Sequence, residues 1–293
     1  MNKKIASPTR PTSPGGTLAF QAEALEKVGW FIPPYAQMGW INSLAGDIHG
    51  SADSFSQDDL EVRLAQLYSA PHLAEMVLHR YPIAPVIQNY AQTIEEAVEA
   101  HFLGLDHVAV GGLVPVIEGA GRALAKTRGL AHEYVRDVFV GLAADCKEES
   151  ASRSIGASGE VASMMDSFAI FADRYFYTRS DKYPLHDRTN RHGISHGEYT
   201  DADYGRPLNF YKTIAAVDFL TFVSSFRANI SWFAPNASLR GERVAMYYDV
   251  LGEMRRRFRA EELGDRPKET LINEPVVRIT DEAGCNFQID VGI

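Results

Sequence analysis

The clearest pattern in the chain is an apolar spacing of helical period that begins at Ile94. Ile94, Ala97, Val98, Phe102 and Leu105 recur in steps that put them on one helical face. Thr93 stands where an N-cap is expected, Glu95 and Glu96 favour the first turn, and Gly104 ends the segment. A second helix is expected from about Asp106 to Lys126, with Val108, Leu113, Val116, Ile117, Ala120 and Leu124 along one side. Gly111, Gly112, Gly119 and Gly121 allow a neighbouring helix to approach closely, and Pro115 predicts a kink.

The same reading places helices at about Asp59 to Tyr68, Glu133 to Asp145 and Val161 to Tyr177, with a Ser/Gly/Ala-rich link from Ser150 to Gly159. An irregular stretch follows from Arg179 to Thr189. The next helix is expected from Pro207, a favourable first helical residue, to Trp232, with one apolar flank and one polar flank carrying Asp218, Thr221, Ser224 and Ser225. A last helix contains VAMYYDVLGEMRRRFR, whose Arg255, Arg256, Arg257 and Arg259 read as a solvated face.

The two ends differ from this body. Residues 1–16 are too rich in Pro, Gly, Ser and Thr to bury anything and predict a flexible tail. Residues 17–69 begin with a helix and continue into GWFIPPYAQMGWI, where Pro33 and Pro34 forbid a continuous helix. Trp30, Phe31, Tyr35, Trp40 and Ile41 predict an aromatic plug against the helical body rather than a ligand-stacking box. In residues 236–293, PVVRITDEAGCNFQIDV alternates apolar and polar residues around Asp281 to Gly284, which predicts a small β-hairpin. The fold class is therefore all-α, with an N-terminal helical and aromatic segment and a C-terminal hairpin.

Composition narrows the function classes. At 45% hydrophobic and 23% charged residues the chain is of ordinary globular type. The net charge of −9 excludes a protein that coats nucleic acid through a global positive field, although a local basic patch remains compatible. Cys146 and Cys285 are too few for a disulfide framework and fit a reducing, cytoplasmic setting. No secretory pattern opens the chain, and the longest apolar run, Ile214 to Phe226, is interrupted and too short for a membrane span.

Candidate chemistry concentrates in NRHGISHGEYTDADY, Asn190 to Tyr204. An Arg fork holds phosphate bidentately, and a His titrating near neutrality moves protons. On a regular helix of about 100° per residue, Arg191 and His196 lie roughly 140° apart and flank a groove. Glu118, inside an otherwise apolar helix, is a candidate partner for Arg191. From Arg174 to Lys212 there are seven Lys or Arg against five Asp or Glu, with Tyr175, Tyr177, Tyr183, Tyr199 and Tyr204 interleaved. Those tyrosines read either as base-stacking groups or as a packed belt. His192 and His196, with His186, Asp187 and Glu198 nearby, also invite a metal reading, but Gly193 stands where a zinc-protease helix needs Glu.

The run Arg191-His192-Gly193-Ile194-Ser195-His196, flanked by Asn190 and Gly197, resembles the signature of the HEPN family. These are small all-helical domains found in many prokaryotic toxins and defence ribonucleases. The stretch IEEAVEAHFLGLDHVAVGGLVPVIEGAGRAL, residues 94–124, resembles the family's first helical pair, and the likeness spans about residues 70–235. It implies a HEPN-like helical bundle and a metal-independent endoribonuclease acting as a homodimer on single-stranded or looped RNA, in phage defence or as a toxin. It implies no cofactor, and an antitoxin or defence protein as a further partner. Arg191 and His196 would be catalytic, with Asn190, His192, Glu118 and Tyr204 supporting them or binding phosphate. The alternative is a non-catalytic helical adaptor that holds a protein or nucleotide in the same groove.

Overall fold

The computed structural model describes residues 18–51, 54–262, 277–280 and 286–289. Its helices are α1 (Ala19–Lys27), α2 (Met38–Gly50), α3 (Gln57–Leu67), α4 (Ala70–His79), α5 (Ala91–Phe102), α6 (Asp106–Thr127), α7 (Val135–Arg153), α8 (Ser158–Phe171), α9 (Arg191–Ser195), α10 (Pro207–Ser225) and α11 (Leu239–Glu262). The described residues are thus mainly α-helical. Two compact units divide the chain after Glu253.

The larger unit is built around α10, which is buried from Leu208 through Ser225. A helix without a solvent face has to satisfy its polar side chains internally. Thr213, Thr221 and Ser225 donate back to carbonyls of their own helix, while Asp218 accepts from the Tyr81 hydroxyl at 2.8 Å. The expected polar flank of this helix is therefore interior. The helix also stops at Ser225 rather than reaching Trp232, which folds back to stack on Phe226 and donates its indole N–H to the Ser225 carbonyl.

Helix α6 packs against α5, α7 and α10, and α10 meets α3 elsewhere. Among the described residues α6 is the one helix long and apolar enough to cross a membrane, a property the sequence reading assigned to no segment. Here it is a core helix. The aromatic stretch after α1 enters the same core, where Phe31 meets the rings of Phe168, Phe171 and Phe219. The described residues within 17–69 and those within 70–235 accordingly share one continuous set of buried side chains.

Several boundaries move for local reasons. A 3-10 turn at Ile87–Tyr90 runs directly into α5, so Thr93 lies within the helix and Tyr90 takes the N-cap position. The link expected from Ser150 is helical as far as Arg153, and α7 ends on Ser154 in the left-handed region. Ser56 and Asp59 form a reciprocal capping box that starts α3. The smaller unit contains the end of α11 and two strands, Val277–Thr280 and Asn286–Ile289, paired antiparallel. The turn expected at Asp281 to Gly284 and the tail expected at residues 1–16 lie outside the described residues.

Candidate functional site

The site is set by how α8 ends and α9 begins. After Phe171 the backbone widens into a single π-turn, Ala172–Phe176, and the helix ends there. The Asn190 amide meets the carbonyls at and just beyond this turn, donating to Tyr175 (3.0 Å) and Thr178 (2.8 Å). Its Oδ1 accepts from the Gly193 N–H at 3.0 Å and caps α9. Asn190 is wholly buried with both ends of its amide engaged, so it positions the segment and has no face for a phosphate.

Helix α9 is short because Gly197 turns the chain left-handed and the amides of Glu198 and Tyr199 close onto the Gly193 carbonyl. Gly193 also permits the Tyr199 ring to lie on the helix: a Cβ there would stand 2.2 Å from the ring. His196 is the residue just past the helix. The regular-helix separation expected between Arg191 and His196 therefore does not apply.

The two side chains meet. Arg191 Nη1 donates to His196 Nε2 at 2.9 Å and lies 3.4 Å from Nδ1 of His192. The rest of the guanidinium faces Glu118 on α6: Nη2 is 3.3 Å from Oε2, and Nε donates to Oε1. Arg191 and Glu118 are 21% and 18% exposed at their side chains, so the ion pair is sheltered but within reach of a ligand. His196 is exposed. Burial, then the Arg191 cation and His196, hold the His192 imidazole below its usual pKa, leaving it neutral near pH 7 and able to accept from Arg191.

Glu118, Arg191, His192 and His196 are thus brought together, with Asn190 beneath them. Tyr204 is not. It packs edge-on against His107 at the start of α6, and among the described residues no hydrogen bond or ring contact joins it to Arg191 or His196. The tyrosines read as possible stacking groups are largely structural: Tyr177 and Tyr183 are buried, Tyr175 donates to the Glu26 carbonyl, and Tyr199 lies on Gly193. No group of three or more His, Cys, Asp or Glu among the described residues is arranged to hold a metal ion. Asp187 is committed elsewhere, to a buried pair with Lys212 at 2.9 Å.

That pair was not foreseen. Asp187 also accepts from Tyr183 (2.9 Å) and from Thr189, and Lys212 donates to Gln57 at 2.8 Å. Asn209 donates to the Asp187 carbonyl (2.6 Å) and to Thr189 Oγ1 (2.8 Å), fastening the stretch before Asn190 onto α10. The available signal was a lysine inside an apolar helix, since a buried ammonium requires an anion. Beside His192 the surface sinks into a depression lined by Arg179, Ser180, Asp181, His192 and Glu198.

No protein-family model matches this chain, and no curated protein or solved structure matches it either.

Proposed function

We propose that the chain is an endoribonuclease of the HEPN type that needs no metal ion, with Arg191 and His196 as its catalytic pair. The observation that carries this reading is the 2.9 Å contact between Arg191 Nη1 and His196 Nε2, with the other edge of the guanidinium anchored by Glu118. It sets a fixed positive charge beside a nitrogen able to take up a proton.

In RNA the 2′-hydroxyl lies next to the phosphate it attacks. His196 takes the 2′-hydroxyl proton as O2′ bonds to phosphorus, the P–O5′ bond breaks, and O5′ receives a proton. The products carry a 2′,3′-cyclic phosphate and a 5′-hydroxyl. Arg191 stabilises the charge that gathers on the phosphoryl oxygens in the transition state. In the free protein Nη1 occupies the imidazole nitrogen, so an entering phosphate oxygen takes over that N–H and releases Nε2 for O2′.

One pair supplies one proton-moving group, whereas the reaction removes a proton at O2′ and delivers one at O5′. A second copy of the chain supplies the other, which is the chemical reason for a homodimeric cleft. A cytoplasmic role in defence or toxicity, with an antitoxin or defence partner, belongs to the same proposal. The purified protein is expected to cut single-stranded RNA in EDTA, and Arg191→Ala or His196→Ala to abolish cutting without changing the circular dichroism spectrum. Cutting by both variants at the wild-type rate overturns the proposal. Capture of a partner protein through this groove, with no cutting at any concentration, points instead to the adaptor.

A further inference from the structure

We infer that the depression beside the catalytic pair holds a guanine base next to the scissile phosphate; this rests on the ribonuclease reading above. The depression measures about 240 Å³, below the roughly 300 to 1,000 Å³ of sites for larger ligands, so it accepts a single base. Its location follows from His192, which lines it and also lies 3.4 Å from Arg191 Nη1.

Its charge selects against phosphate. Arg179 and Asp181 neutralise one another through two parallel 3.0 Å hydrogen bonds, Nε to Oδ1 and Nη2 to Oδ2. His192 is held towards its neutral form. Glu198 then leaves the lining with a net negative charge, so the occupant is a neutral group rich in donors. The planar Arg179–Asp181 pair offers a flat surface for an aromatic base.

Glu198 decides which base. Its Oε2 accepts from the Ser180 hydroxyl, and its Oε1 takes no hydrogen bond from the described residues. A carboxylate has about four lone-pair sites, so most of its accepting capacity remains. Guanine presents two adjacent donors, N1–H and the N2 amino group, on its Watson–Crick edge. Adenine and cytosine place a ring acceptor beside their amino group, and uracil flanks its single N–H with two carbonyl oxygens that a carboxylate repels. That edge is free only in single strands or loops.

The test measures binding of short 2′-O-methyl RNA oligomers, which lack the attacking hydroxyl and stay intact, to the unaltered full-length protein in EDTA. An oligoadenylate with one central guanine is expected to bind about tenfold tighter than oligoadenylate itself, with inosine, which lacks the N2 amino group, in between. Glu198→Gln is expected to bring the ratio of the two affinities, guanine-containing oligomer to oligoadenylate, down to about one. Equal affinity for all three oligomers, or a preference that survives Glu198→Gln, overturns guanine selection and leaves the ribonuclease reading standing. Binding of none of them, with no cutting of natural RNA, removes both.

Discussion

Arg191 and Glu118, 73 positions apart in sequence, form a two-point ion pair that ties the short helix α9 to the centre of α6. The carboxylate fixes the plane of the guanidinium and so aims Nη1 at His196. Glu118→Gln keeps the shape and removes the charge. It is expected to lower stability by about 1.5 kcal/mol, or roughly 2 to 6 °C in melting temperature. RNA cutting should fall by about a hundredfold as the fork loses its aim. A melt paired with a cleavage assay checks both.

Burial works to raise the Asp187 carboxyl, but the Lys212 ammonium and donors from Thr189, Lys212 and Tyr183 outweigh it and hold the pKa below the usual range. Stability from a depressed carboxylate is present above its unfolded pKa and is lost as pH falls through the folded one. Lys212→Met strands Asp187 in the core and is expected to cost about 3 to 5 kcal/mol. The double variant Asp187→Asn, Lys212→Met should recover part of that loss in denaturant unfolding.

Asp218 behaves in the opposite way. Burial pushes its carboxyl up to about 7, against smaller lowering effects from the Tyr81 hydrogen bond and Arg80. The folded state therefore binds the proton more tightly than the unfolded chain, and this contribution to stability is complete below the ordinary carboxyl pKa of 3.8 and lost as pH rises to about 7. Asp218→Asn is expected to flatten that part of the profile, so its melting temperature should gain on the wild type as the pH rises from the ordinary carboxyl value of 3.8 to about 7. A series of melts across those pH values is the check.

Gly193 has no room for a methyl group, because a Cβ would stand 2.2 Å from the Tyr199 ring. Gly193→Ala is expected to displace Tyr199 and cost about 1 to 3 kcal/mol. Adding Tyr199→Ala should relieve the clash. Comparison of the single and double variants in urea unfolding measures it.

Helices with sustained apolar spacing were legible in the sequence: Asp106 to Lys126 falls within one residue of the observed α6. The sheltered carboxylate beside Arg191 was legible for a simple reason, since Glu118 interrupts an apolar face and calls for a cation. Other features depend on distant parts of the chain. Asn190 read either as a support for the pair or as a phosphate contact, and only the fold reveals the carbonyls of Tyr175 and Thr178 that consume its amide and leave it the first role. Asp218, Thr221 and Ser225 read as a polar flank whose surroundings stayed open, because sequence periodicity cannot tell an exposed polar face from one satisfied by internal hydrogen bonds. Helix α4, Ala70–His79, went unread although Ser69 at its N-cap position and Pro71 in its first turn are start signals.

Arg191 and His196 are proposed to cleave RNA through its own 2′-hydroxyl. Mass spectrometry of the products from a single-stranded RNA, incubated in EDTA with wild type and with His196→Ala, tests it most directly. The expected result is fragments ending in 2′,3′-cyclic phosphate and 5′-hydroxyl with the wild type, and uncut RNA with His196→Ala. Fragments bearing 5′-phosphate, or the same fragments in equal yield from both proteins, would contradict it.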